Sequence, residues 1–226
     1  MSTNVLLTTV VPALGAVVSL LMYASPVMAV MAASKTKNMG DLNPVPFAIT
    51  VANTIVWGTY GLIKQDVFVT TPNVLGVVVA MYCALSCYGL AHEETRDRMR
   101  LILCGESAIL AALGVATSFG ASTLQEQLNI WGIAGNCISL VYYAAPLSSM
   151  AEVLKTRNSA SILLPLTVMN LANAALWTTY GMALQDVFIY APNGIGLVLS
   201  LAQLGLACIY PSKPRLVPGA SQLHDA

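Results

Sequence analysis

Residues 53–76 read NTIVWGTYGLIKQDVFVTTPNVLG, and residues 173–196 read NAALWTTYGMALQDVFIYAPNGIG. At an offset of 120 these segments agree at 12 of 24 positions. Asn53, Trp57, Thr59, Tyr60, Gly61, Gln65, Asp66, Val67, Phe68, Pro72, Asn73 and Gly76 recur as Asn173, Trp177, Thr179, Tyr180, Gly181, Gln185, Asp186, Val187, Phe188, Pro192, Asn193 and Gly196. The same offset lays Tyr23-Ala24-Ser25-Pro26 over Tyr143-Ala144-Ala145-Pro146, and Lys35-Thr36-Lys37-Asn38 over Lys155-Thr156-Arg157-Asn158. Self-similarity over this span marks a duplicated structural unit.

What kind of unit follows from composition. The chain has 226 residues, of which 57% are apolar and only 9% charged, with a mean hydropathy of +0.72. An average soluble domain carries roughly 25% charged residues, so this chain cannot cover a water-facing surface of ordinary type. A disordered chain is excluded by the apolar content. Lys+Arg and Asp+Glu are both 10, so the basic excess of a nucleic-acid binder is missing and no nucleic-acid partner is expected. Cys83, Cys87, Cys104, Cys137 and Cys208 all lie in apolar runs and read as small hydrophobes. No metal-ligand spacing, phosphate loop or nucleophile–base pair occurs, so neither a metal, a cofactor nor an enzymatic activity is expected.

Spanning a bilayer takes roughly 20 predominantly apolar residues. Charge-free stretches cover 1–34, 42–63, 67–91, 127–151, 158–185 and 187–212, and a seventh, 101–125, is interrupted only by Glu106. The first lacks a basic leader and is too long for a cleaved signal. Seven crossings place Lys35, Lys37, Arg96, Arg98, Arg100, Lys155, Arg157, Lys213 and Arg215 on one side and Lys64 alone on the other. The positive-inside rule then predicts an external N-terminus and a cytoplasmic C-terminus.

Each copy holds three crossings, yet both basic loops face the same side, so one further crossing must lie between the copies. The predicted fold is all-α and integral to the membrane: seven transmembrane helices as two parallel three-helix repeats joined by a linker helix, 3+1+3. Parallel repeats about an axis along the membrane normal are a known transporter plan. The expected division is 1–91 for the first repeat, 92–120 for a cytoplasmic loop and the linker helix (about 99–119), 121–211 for the second repeat, and 212–226 for a short cytoplasmic tail.

Depth picks out the candidate site. Trp57 lies about 9 Å below the outer end of the second helix, and Asn73 about 10 Å into the third, at ~1.5 Å per residue. Trp177 and Asn193 occupy the matching level, and Asn53 and Asn173 lie one turn inward of the indoles on the same face. Indoles stack on the C–H face of a sugar ring, and carboxamides offer donors and acceptors to its hydroxyls. Interfacial anchoring for the indoles and interhelical bonding for the amides are the competing readings. Recurrence of both residue types in both halves favours a shared chamber.

Pro26, Pro46, Pro146 and Pro165 gather at cytoplasmic depth, with Pro165 one residue out of register with Pro46. Proline within a helix frees a carbonyl and permits a kink, so Pro26 and Pro146 read as hinges. Helix initiation is the alternative for Pro46 and Pro165. At the outer end, contacts from Tyr60 and Tyr180 to Asp66 and Asp186 would close a mouth; interfacial tyrosines and helix-capping aspartates are the alternative. Glu106 is expected to snorkel or to pair locally.

On Ser25-Pro26, Trp57-x-x-Tyr60-Gly61, Asp66, Pro72-Asn73 and their second set Ala145-Pro146-Leu147, Trp177-x-x-Tyr180-Gly181, Asp186, Pro192-Asn193, the chain resembles the SWEET (MtN3/saliva) sugar transporters over about residues 5–211. The resemblance implies bidirectional facilitated diffusion of mono- or disaccharides by alternating access. It implies a sugar pocket lined by Trp57, Asn73, Trp177, Asn193, Asn53, Asn173, Met22 and Tyr142, and an inner gate hinged by Pro26, Pro46, Pro146 and Pro165. It also implies a homo-oligomer, a trimer by the family's habit. Met22 and Tyr142 are bulky, which favours a hexose such as glucose. No acid lies at pocket depth in the repeats, which favours uniport over proton coupling. The plasma membrane is the expected location, with an intracellular membrane as the alternative. A proton-coupled amino-acid carrier of the related PQ-loop type would use Asp66 or Asp186, but no Pro-Gln pair stands at Pro26 or Pro146. A seven-helix receptor and an intramembrane enzyme are the remaining rivals; duplicated halves disfavour the first, and the second lacks a catalytic constellation.

Overall fold

A computed structural model describes residues 5–40 and 42–212; Asp41 and the expected tail from 213 onward lie outside the described residues. Seven helical rods run in sequence: α1 (Leu6–Thr36), α2 (Val45–Lys64), α3 (Val67–Tyr88), α4 (Glu93–Gly120), α5 (Leu124–Thr156), α6 (Leu164–Ala183) and α7 (Val187–Ile209). All but α6 are long and apolar enough to span a membrane on their own. The sixth has the length, but Thr167, Asn170, Asn173, Thr178 and Thr179 lower its apolar content. Its place in the bundle accounts for these residues, since it packs against α1 and α7 rather than standing alone in lipid.

Within each repeat the third helix packs between the other two. In the first, α3 contacts both α1 and α2; in the second, α7 contacts both α5 and α6. The repeats meet through α1 against α6 and α2 against α5, the pairing expected when two like units are related by a twofold axis along the bundle. The chain thus has the 3+1+3 architecture, with α4 outside both units. Ile102 and Leu103 of α4 pack on the Ala48, Val51 and Met99 cluster, and the Trp131 indole of α5 donates to Thr117 Oγ1 at 2.8 Å. The linker helix is therefore pinned to one repeat along its length and to the other at its end.

The structure extends α4 beyond the expected start. The charged run from Glu93 to Arg100 is helical rather than loop. Glu93 and Glu94 stand in the first turn, where the helix dipole favours acids. Arg98 pairs with Glu94 at i,i+4 and Arg100 with Asp97 at i,i+3. These local terms support a helix that hydropathy alone does not reveal.

Prolines break the first helix of each repeat at equivalent places. α1 is interrupted at Ser25-Pro26, and α5 at Tyr143, three residues before Pro146. A proline cannot bond the carbonyl four residues back. For Pro26 that carbonyl is Met22, and the Ser25 hydroxyl donates to it at 2.8 Å. The second repeat has Ala145 at that position and lacks this substitute.

The turn between the second and third helix of each unit is built identically. Gln65 and Gln185 adopt left-handed backbone, at φ 58° and 55°. Asp66 N–H donates to Gly61 O, and Asp186 N–H to Gly181 O, both at 2.8 Å, with Gln65 and Gln185 N–H bonded to Leu62 and Met182 O at 3.1 Å. This is the Schellman closure of a helix. Each aspartate then starts the next helix: its Oδ1 accepts from the following N–H groups, Phe68 and Val69 or Phe188 and Ile189. The turn is tight enough to require glycine. A Cβ on Gly181 would stand 2.6 Å from Tyr190 N, and one on Gly61 would stand 2.8 Å from Thr70 N. Backbone cannot yield cheaply, so Gly61→Ala and Gly181→Ala should each destabilise the protein by about 1–3 kcal/mol. Thermal unfolding in detergent checks this; an unchanged midpoint for both variants would contradict the tight packing.

Candidate functional site

The aspartates that close these turns face the opposite repeat. Tyr60 donates its hydroxyl to Asp186 Oδ2 at 2.8 Å, and Tyr180 donates to Asp66 Oδ2 at 2.7 Å. With one carboxylate oxygen held by the helix N-terminus, the other is aimed across the twofold axis. All four residues are buried. The predicted tyrosine–aspartate contacts thus form, and they form between the units rather than within them. Lys64 adds an ion pair to Asp186; its counterpart in the other unit is Leu184, so only one of the two bonds carries this reinforcement.

Directly beneath lie the indoles. Trp57 meets Tyr60 edge-on at 5.6 Å, and Trp177 meets Tyr180 edge-on at 6.0 Å. Both belong to one apolar cluster with Val56, Val69 and Ile189. Each indole rests on a glycine of the other repeat. A Cβ on Gly135 would stand 2.9 Å from Trp57 Cε2, and one on Gly15 would stand 3.2 Å from Trp177 Cε2. These glycines are themselves 120 residues apart. That signal lies in the sequence but reads as ordinary helix glycine, because nothing local shows that an aromatic from another unit will press on it.

The amides divide between two environments. Trp177 Nε1 donates to Ser19 Oγ at 3.0 Å, and Ser19 Oγ donates to Asn173 Oδ1 at 2.9 Å. The same-face relation predicted for Trp177 and Asn173 is thus realised through a serine of α1 that sequence reasoning did not single out. In the other half, Ser139 stands at the equivalent position but donates to its own helix at Gly135 O, 2.9 Å away. Trp57 and Asn53 are therefore not bridged in this way. Asn73 is bonded at both ends: Nδ2 donates to Val69 O at 2.8 Å, and Oδ1 accepts from the Tyr23 hydroxyl at 3.1 Å. Asn193 Nδ2 repeats the first bond, to Ile189 O at 2.8 Å. The Tyr143 hydroxyl, the counterpart of Tyr23, goes to the Pro192 carbonyl instead. Tyr23 and Tyr143 are further neighbours of the amides that the motif reading passed over.

Toward the opposite end, Tyr142 reaches from α5 to α2, donating its hydroxyl to Thr50 Oγ1 at 3.1 Å. Met22 is half-buried on α1. Pro46 and Pro165 are exposed, and Pro26 and Pro146 half-buried. The tyrosine end of the bundle is thus closed by reciprocal bonds. The structure shows no pairing partner for one oxygen of the half-buried Glu106. Its Oε2 is sealed from solvent without a hydrogen-bond partner. The cation below it on α4, Arg100, is engaged by the Tyr88 hydroxyl at 3.2 Å and by Asp97 at 3.0 Å.

A family profile described as sugar efflux transporter for intercellular exchange matches the chain twice, over residues 9–95 and 129–215. The chain belongs to the MtN3/saliva, or SWEET, family. The two matches start 120 residues apart, the offset of the internal repeat. Among SWEET relatives, the rice bidirectional sugar transporter SWEET7b (Oryza sativa subsp. japonica) is 30% identical over 199 residues, covering 87% of this chain and 75% of the rice protein. Bidirectional sugar transporter SWEET7 of Arabidopsis thaliana is 29% identical, covering 94% and 84%. A eukaryotic SWEET transporter solved at 3.7 Å superposes with a TM-score of 0.81 at 23% identity, covering 92% of this chain and 99% of that one. With its run of apolar helices and its SWEET relatives, the protein is an integral, multi-pass membrane protein.

Proposed function

We propose that this SWEET protein is a uniporter that moves a small neutral sugar, a hexose such as glucose, down its own gradient in either direction. The observation that carries the reading is the reciprocal pair of bonds, Tyr60 to Asp186 and Tyr180 to Asp66, roofing two indoles at matched depth. Closure at the tyrosine end is one half of an alternating-access cycle. The second half requires these bonds to part while the proline end closes on itself, with Pro26, Pro46, Pro146 and Pro165 as the hinges. Trp57 and Trp177 would stack on the ring; Asn73, Asn193, Asn53 and Asn173 would exchange bonds with its hydroxyls. Met22 and Tyr142 narrow the chamber below and limit it to a hexose. The rice and Arabidopsis relatives are named as bidirectional sugar transporters, which supports the class of cargo and the absence of a fixed direction.

The working parts are residues 1–91 and 121–211, with 92–120 as the connecting loop and linker helix. The tyrosine end faces outward, the proline end and the tail from 212 face the cytoplasm, and the plasma membrane is the host. Copies associate, as a trimer by analogy with the family. Both aspartates are committed to helix caps and tyrosine bonds, which argues against their serving as proton carriers. Glucose uptake into yeast lacking its hexose transporters tests the mechanism. Uptake should persist on adding a protonophore once the membrane potential is clamped. Its collapse would favour the proton-coupled carrier instead.

A further inference from the structure

The two carboxamides at chamber depth are not held alike. An asparagine side chain donates two hydrogen bonds and accepts two. Asn73 and Asn193 each spend one N–H on the carbonyl four residues back. Asn73 Oδ1 also accepts from the Tyr23 hydroxyl at 3.1 Å, so this buried amide is tied at both ends. Tyr23 is itself firmly seated. A Cβ on Gly76, one turn along α3 from Asn73, would stand 2.8 Å from Tyr23 Cε2 and 2.9 Å from Cδ2. The second repeat keeps the three residue types, as Tyr143, Asn193 and Gly196, but not their arrangement. A Cβ on Gly196 would stand 3.9 Å from Tyr143 Cε1, an ordinary contact, and the Tyr143 hydroxyl goes to the Pro192 carbonyl. The helix break accounts for the difference. Tyr23 lies within the helical segment Val11–Ala24, ahead of the break at Ser25-Pro26, whereas Tyr143 is itself the break.

We propose that Tyr23 is a positioning residue that presents Asn73, and not Asn193, to one particular hydroxyl of the sugar. With one N–H on Val69 O and one lone pair taken by Tyr23, the remaining N–H and lone pair of Asn73 keep a fixed direction. A sugar hydroxyl, which both donates and accepts, pairs with either. Asn193 is held at one end only, so its carbonyl can turn and serve hydroxyls at several positions. Two equal halves thus yield one selective amide and one tolerant amide. The inference rests on the transport reading above, and it assigns discrimination among hydroxyls to the first repeat.

The test is competition by the monodeoxy analogues of glucose against tracer glucose exchange in reconstituted vesicles. A site built to bond a hydroxyl rejects the analogue that lacks it. The wild type should therefore disfavour one analogue by about tenfold relative to the others, the worth of one hydrogen bond. Tyr23→Phe should raise KM for glucose and shrink that one preference to less than about threefold, leaving the order of the other analogues intact. Tyr143→Phe should leave the ratios as in the wild type. No such preference in the wild type, an unchanged one in Tyr23→Phe, or a loss that scales all the sugars alike overturns the proposal. Gly76→Ala, which unseats the Tyr23 ring, should reproduce the flattened profile, and Gly196→Ala should not; the opposite pattern overturns it. Separately, 3-fluorotyrosine placed at position 23 should shift its fluorine resonance on Asn73→Ala, and not on Asn193→Ala, with no sugar present. That pattern in a protein that neither binds nor moves glucose would support the held amide and overturn the transport reading. A resonance that ignores Asn73→Ala, in a protein whose wild type has normal glucose flux, would do the reverse.

Discussion

Trp57→Ala and Trp177→Ala should each reduce glucose flux by about two orders of magnitude, a loss of roughly 3 kcal/mol. An indole presents the broad apolar face that a sugar's C–H surface requires, and alanine leaves a void in its place. Asn73→Ala and Asn193→Ala should abolish flux to a similar degree, because they remove the paired donor and acceptor set at chamber depth. The variants should differ in stability. Trp177 is buried, bonded to Ser19 and seated on Gly15, so its loss should lower the unfolding temperature more than the loss of half-buried Trp57. Asn73→Ala also strands the Tyr23 hydroxyl, a cost Asn193→Ala is spared. Tracer flux normalised to surface expression separates the two effects. Normal transport by all four variants would mean that the chamber lies elsewhere.

Asp186→Ala should lower flux by at least tenfold and destabilise the protein more than Asp66→Ala. Both substitutions remove a helix cap, about 1 kcal/mol, and leave a buried tyrosine hydroxyl without its acceptor, about 1–3 kcal/mol more. Asp186→Ala also orphans Lys64, a partly buried cation. Lys64→Leu copies the second repeat at Leu184 and leaves the Tyr60–Asp186 bond in place, so its effect on flux should be less than tenfold. The capping and closing roles separate in Tyr60→Phe, which spares the Asp186 cap but deletes the cross-repeat bond. If closure of the outer mouth matters to the cycle, Tyr60→Phe slows flux with little change in unfolding temperature. Full flux in both Tyr60→Phe and Tyr180→Phe would remove these bonds from the mechanism.

Much of this was legible in the chain. The repeat places Trp57 with Trp177 and Asn73 with Asn193 at equal depth because helix rise is constant, so depth follows from counting. Pro26 and Pro146 announce broken helices because a missing N–H acts locally. The beginning of α4 was not legible: hydropathy sees only the apolar part, whereas salt pairs and the helix dipole extend the helix back to Glu93. Nor was the environment of Glu106, since whether a buried acid finds a partner depends on what the packed helices place beside it.

Sequence alone therefore determined the number of helices and the twofold relation, because hydropathy and an exact offset are properties of order along the chain. Only the tertiary structure decided which unit each side chain serves. Tyr60 bonds the aspartate of the other repeat, Trp57 lies on Gly135 and Trp177 on Gly15. A repeat specifies two equal halves but not the distance or rotation between them. That choice is made by helix packing, which also leaves Ser19 bridging to α6 while Ser139 turns back on its own helix.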